Sequence, residues 1–350
     1  MKNIFKNLSV ALIVFFSIQP SLAKAQVFET PGEYLEYIGK ANEELTLKYM
    51  VYLSSMSHGK SARKVEKRRL EVVDAIYNTR ANIQGMPPYK GDKTFRDTSV
   101  AYFKILNSVF NEDYAKIVNM EEIAEQSYDA MEAYMLAQEK ANEKLQEASA
   151  KQSETQKRFA EKHNIKLVQN TSELDLKMKT ASAVMKHYDE VYLIFFKCYK
   201  QEAYLMEALE KKNVNSIEQN INSLQSFAEA GLDKLKGVEP FSGDGSLISA
   251  CRNLLNFYKE EAKKTTAQSD FILKQENFLK IKKQFDSKPA GKRTQQDVDD
   301  FNKAVKEANE GVNDYNKTNN ELNKKRTTNL DNWNNTVKRY LDTYVPQQRK

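Results

Sequence analysis

The 350-residue chain carries only 11 glycines and 7 prolines, too few to supply the turns of a many-stranded sheet protein. Its two cysteines allow at most one internal bridge, which excludes a scaffold built on disulfides. Histidine is equally scarce. None of His58, His163 and His187 has a glutamate three positions earlier, so the Glu-x-x-His pairs of a bundle di-metal centre are missing. His-Glu-x-x-His, Gly-x-Ser-x-Gly, P-loop and dinucleotide fingerprints do not occur. After the N-terminal leader the longest apolar run is Val191–Phe196, six residues against the ~20 a spanning helix needs. A formal net charge of +6 is mild and does not call for a nucleic-acid partner. No cofactor is implied.

What is present begins with an address. Lys2 and Lys6 precede an apolar stretch, Leu8–Ile18, and Ala23-Lys24-Ala25 forms a small-x-small cleavage site. Residues 1–25 are therefore read as a signal peptide, leaving a mature chain from Gln26 with a net charge of +3 once Lys2, Lys6 and Lys24 are gone. No cysteine lies near the site for a lipid anchor.

The rest reads as all-α. Thr30-Pro31-Gly32-Glu33 has the form of a capping box with proline at the first helical position. Tyr34, Tyr37, Ile38, Ala41, Leu45, Tyr49 and Tyr52 follow at helical spacing. A break at His58–Ser61 separates this helix from a second, about 62–83, with Val65, Val72, Val73 and Ile76 inward. A third carries Phe95, Val100, Phe103, Leu106 and Phe110, and a fourth runs through Ile123, Met131, Met135 and Leu145 to about Phe159.

Shifted by 152 positions, the chain repeats an unusual loop. Gly85, Pro88, Tyr89, Gly91 and Asp92 fall on Gly237, Pro240, Phe241, Gly243 and Asp244. Glycine, proline, aromatic, glycine and aspartate in register are hard to obtain by chance, so the spacing predicts a tandem duplication of a four-helix unit. The halves are 26–166 and 167–350, with long helices packed in the manner of coiled coils and a junction near 162–172. Each loop residue has a mechanical reading. Gly85 and Gly237 would take a left-handed conformation past a helix end, with Met86 and Val238 docking back. The prolines stop the helix, and Asp92 or Thr94, and Asp244 or Ser246, would cap the next one.

Three further features are candidates for function. Lys60, Arg63, Lys64, Lys67 and Arg68 share one stripe of the second helix and could meet an anionic partner, though a solvated face accounts for them as well. Asp189-Glu190 beside His187 reads as a solvated face. Cys198 and Cys251 fall at one level of the second unit and both face inward, so a bridge and two buried free thiols remain alternatives. The last helix offers two seams, Val298, Val305 and Val312 or Phe301, Ala308, Tyr315 and Leu322, then slips to Leu330, Trp333, Val337, Tyr340 and Tyr344. Internal packing suits it; a dimer stays open.

The leader, the helical body and the Gly-x-x-Pro-[Tyr/Phe]-x-Gly-Asp loop together resemble a poorly characterised family of exported helical surface proteins of Gram-negative bacteria. The resemblance implies a place in the envelope, periplasmic or on the surface, and carries over no catalytic residue. The expectation is a non-enzymatic protein acting as scaffold or binding module on an unknown envelope component. The alternative is a membrane-active helical protein that binds or rearranges on lipid.

Overall fold

The computed structural model describes residues 28–58, 61–116, 124–167 and 173–346. The leader, Lys60, Ile123 and the stretch 168–172 lie outside them. The described residues form eight long helices and no strand. They are α1 (Pro31–Ser57), α2 (Ala62–Gln84), α3 (Thr94–Ser108), α4 (Tyr128–Lys162), α5 (Glu173–Glu210), α6 (Val214–Lys234), α7 (Ser246–Ser287) and α8 (Gln295–Tyr344). The chain is all-α.

Local chemistry sets the ends. At α1 the Glu33 amide donates to Thr30 Oγ1 at 3.2 Å and the Thr30 amide to Glu33 Oε2 at 3.3 Å, a full capping box behind Pro31. Thr294 and Asp297 build a second box at α8. Asn213 Oδ1 accepts from the Ser216 amide and opens α6. A π turn, Val109–Asp113, continues α3.

Two buried clusters divide the body. The first gathers Tyr34, Ile38, Val72, Ile76, Phe95, Phe103 and Phe159, from α1 to α4. The second gathers Val191, Phe195, Leu205, Ile217, Leu224, Leu254 and Trp333, from α5 to α8. Leu53 and Met131 cross over and pack into the second cluster. Ser57 Oγ lies 3.3 Å from Met185 Sδ, and His58 Nε2 3.3 Å from Asp342 Oδ1. The halves therefore touch through packed side chains as well as through the chain.

The second half is not uniform in length. Lys212, in the turn after α5, donates to Gln275 of α7, so the α5–α6 pair ends at that level. From there α7 runs twelve residues further to Ser287, about 18 Å at 1.5 Å per residue, paired with α8. Phe285 and Phe301 stack at 4.5 Å between these arms, and the Arg293 guanidinium sits 4.1 Å over Phe285 at the tip. Of the two seams in α8, the one through Phe301, Ala308, Tyr315 and Leu322 turns inward, while Val312 is exposed. Gly311 makes the arms' close approach feasible: a Cβ there would lie 2.4 Å from the Phe271 ring.

Candidate functional site

The two quoted loops have one geometry. Tyr89 and Asp92 exchange backbone hydrogen bonds of 3.0 and 2.8 Å around Lys90 (φ +47°) and Gly91 (φ +83°). Phe241 and Asp244 enclose Ser242 (φ +51°) and Gly243 (φ +83°) in the same way, joined by a 2.9 Å bond from the Asp244 amide. Positive φ at both central residues is the signature of a type I′ turn. Asp92 Oδ1 then accepts from the Thr94 amide at 2.9 Å and Asp244 Oδ1 from the Ser246 amide at 2.8 Å.

This corrects the expectation for Gly85 and Gly237. Gly85 has φ −73°, and Gly237 closes a 3₁₀ turn without positive φ. Nothing steric in the structure requires glycine at either position. The left-handed helix ends belong to Asn164 and Lys212, where the amides of Ile165 and Asn213 reach back to the carbonyls of Ala160 and Ala208 in the Schellman pattern. Met86 and Val238 are nonetheless buried as expected.

Around each turn stands the same set of rings. In the first half Tyr34 donates to the Pro87 carbonyl at 3.1 Å and lies near the rings of Tyr89 and Phe159. His163 meets Tyr89 edge-on at 5.1 Å, and Lys162 pairs with Asp92 at 2.8 Å. In the second half His187 Nε2 donates to the Glu239 carbonyl at 3.1 Å, which leaves Nδ1 to accept from the Tyr340 hydroxyl at 2.8 Å. Tyr344 meets Phe241 edge-on at 5.2 Å and hydrogen-bonds Asp244. The hydrogen bond from Lys162 holds the Asp92 carboxyl down at about 2, against burial. At Asp244 burial opposes the bonds from Ser246 and Tyr344, and the bonds prevail, leaving it below the usual range. Both His187 nitrogens are thus engaged in holding the second turn against α8.

The basic stripe is only partly free. Arg63, Lys64 and Lys67 are exposed, while Arg68 is paired with Glu71 at 2.6 Å. Next to Arg68 the buried Arg69, which the stripe pattern passes over, pairs with Glu66 and donates to the Phe110 carbonyl in the π turn. Asp189 is half-buried rather than solvated, and burial raises its carboxyl to about 7. Glu190 is exposed. Cys198 and Cys251 are free, fully buried thiols; burial pushes both up, Cys198 to about 12, so neither is a ready nucleophile.

One buried constellation had no counterpart in the reading of the sequence. Arg326 of α8 bonds both Glu202 of α5 and Glu261 of α7. Glu261 is wholly buried; burial, then the adjoining Glu202 carboxylate, push its carboxyl up against the pull of Arg326. Along the same helix Tyr258 Oη, Glu261 Oε2, Thr265 Oγ1, Gln268 Nε2 and Ser269 Oγ are buried without a hydrogen-bond partner among the described residues. The signal was available: 258, 261, 265, 268 and 272 continue the inward stripe, so glutamate, threonine and glutamine fall where apolar residues belong. Among the described residues no three His, Cys, Asp or Glu side chains converge as a metal site, and no helix is long and apolar enough to cross a membrane.

Compared with known proteins, the chain matches no family model, and neither a curated protein nor a solved structure is detectably similar to it.

Proposed function

We propose that this is an exported, non-enzymatic helical protein of a Gram-negative cell envelope, acting as scaffold or binding module through its surface. Its body, in this reading, is one four-helix unit present twice, and the α7–α8 hairpin is an addition to the second copy. The matched loop contacts support the duplication. So does a change of spacing: the loops are 152 positions apart, but Phe159 and Tyr340, which meet those loops alike, are 181 apart. The second copy is thus 29 residues longer between third-helix start and fourth-helix end.

The observation that carries the scaffold reading is that hairpin. It stands clear of the α5–α6 pair and presents Leu279, 58% exposed, to solvent, with the exposed Leu273 and Val312 at its base. None of residues 276–310 belongs to either buried cluster, so the arm serves an interaction more readily than the stability of the body. The test is capture from envelope fractions with the mature protein and with a hairpin-shortened chain. One protein held by the first and released by the second supports the reading; equal capture by both refutes it.

A second reading, lipid binding, is favoured by α2. Its outer stripe puts the exposed Leu70 and Tyr77 in line with Arg63 and Lys67, interrupted by Asp74. Co-sedimentation with anionic vesicles at two salt concentrations tests it: binding lost at high salt supports it, and no binding at low salt removes it.

A further inference from the structure

A cleft of about 460 Å³ opens where the two halves meet. Tyr128 and Glu132 of α4 form one wall, Leu193, Ile194 and Lys197 of α5 the floor, and Phe227 and Ala230 of α6 the other wall. Its size lies in the range of small-molecule sites, and its floor is largely apolar. Its shape is fixed from below. At Gly231 a Cβ would come within 3.1 Å of both Ile194 and Leu255, so α6 lies tight on α5 and α7 beneath the cleft.

Lys197 is the telling residue. Its ammonium lies 4.4 Å from the Phe227 ring centroid and 4.7 Å from that of Tyr128, a cation held between two rings from different halves. No carboxylate among the described residues pairs with it. Arg69 and Arg326, two other basic groups drawn inward, each have a carboxylate partner. Two acids also line the cleft: Glu132, which accepts from the Tyr128 hydroxyl at 3.1 Å, and the exposed Glu190, with Lys234 as a second cation. A positioned, unpaired cation above apolar floor residues calls for an anion with an apolar body.

We propose that this cleft is a binding site for a small amphipathic anion, its acidic group on Lys197 and its apolar body over Leu193, Ile194 and Phe227. The rings place the ammonium in advance, so the ligand need not order a flexible lysine. Because Tyr128 belongs to the first half and Phe227 to the second, occupancy would also brace the halves against each other. The inference does not rest on the hairpin's role and survives or fails separately.

The experiment titrates the mature protein with 8-anilinonaphthalene-1-sulfonate, and with N-phenyl-1-naphthylamine, the same ring system without the sulfonate. Decanoate serves as the competitor. The expected result is one saturable sulfonate site that decanoate displaces. Lys197→Met, which keeps the stem, should weaken the sulfonate probe at least tenfold and leave the neutral probe within about twofold. Ala230→Phe, on an exposed position of α6, should exclude both probes while circular dichroism and melting stay at the parent values. Absence of a saturable site, equal loss of both probes in Lys197→Met, or unchanged binding in a folded Ala230→Phe would each overturn the proposal.

Discussion

Tyr34 and His187 stand 153 positions apart and make the same contact: the Tyr34 hydroxyl reaches the Pro87 carbonyl at 3.1 Å, and His187 Nε2 the Glu239 carbonyl at 3.1 Å. Pro87 and Glu239 are themselves 152 apart, in the two matched loops. Both side chains hold the equivalent carbonyl, two residues before Tyr89 and Phe241 in the matched loops, and so tie each turn to the bundle. The partner position is exchanged in the opposite sense, with His163 beside Tyr89 and Tyr344 beside Phe241. Tyrosine and histidine trade places while the contact survives.

Turn geometry makes the first prediction. Gly91→Ala and Gly243→Ala place a Cβ at φ +83° and should each cost about 1 kcal/mol. Gly237→Ala, with open space around its Cβ and no positive φ, should melt close to the parent. Thermal unfolding of the three variants checks the assignment.

Asp92 gives a pH dependence of known sign. Its folded carboxyl is held at about 2, below the unfolded value, so its contribution is present at neutral pH and lost as pH falls towards 2. Asp92→Asn should cost about 1–2 kcal/mol at pH 7, allowing for the exposed Lys162, and the gap to the parent should narrow through pH 4 to 2. Urea unfolding across that range reads it.

The buried triad behaves oppositely. Burial and Glu202 raise the Glu261 carboxyl, so its ionisation opposes folding and the parent should lose stability as pH rises above the ordinary glutamate range. Glu261→Gln should flatten that slope at little cost near neutral pH. Arg326→Met should cost about 3 kcal/mol or more, because it strands two buried carboxyls. Stability against pH for both variants separates these outcomes.

Much of this was legible in the sequence, and for a physical reason. Helices announce themselves by period, and capping boxes such as Thr30–Glu33 are local, so elements α1 to α8 follow from short-range rules. The likeness of the two loops was visible for the same reason. What failed was the choice of glycine: a sequence shows that Gly85 and Gly91 flank a helix end, but not which one carries the left-handed backbone. The triad stayed hidden because Glu202, Glu261 and Arg326 come from three helices and meet only after packing. Lys197 was invisible for a related reason, since Tyr128 reaches it from the other half.

At the base of the hairpin, Gly311→Ala should force the Phe271 ring off its seat, the Cβ distance being 2.4 Å, and cost about 1–3 kcal/mol. Gly291→Ala at the tip meets nothing within 4 Å and should be silent. Melting curves of the pair show whether the arms close as described.

The central claim is that the α7–α8 hairpin is an arm added to a body that folds without it. The direct measurement is the thermal melt of a chain lacking residues 274–287 and 296–309, two heptads from each arm with the Lys288–Gln295 turn retained. The account predicts a single cooperative transition within about 5 °C of the parent, with helical signal reduced only by the residues removed. A chain that no longer unfolds cooperatively, or melts far below the parent, would place the hairpin in the core and contradict it.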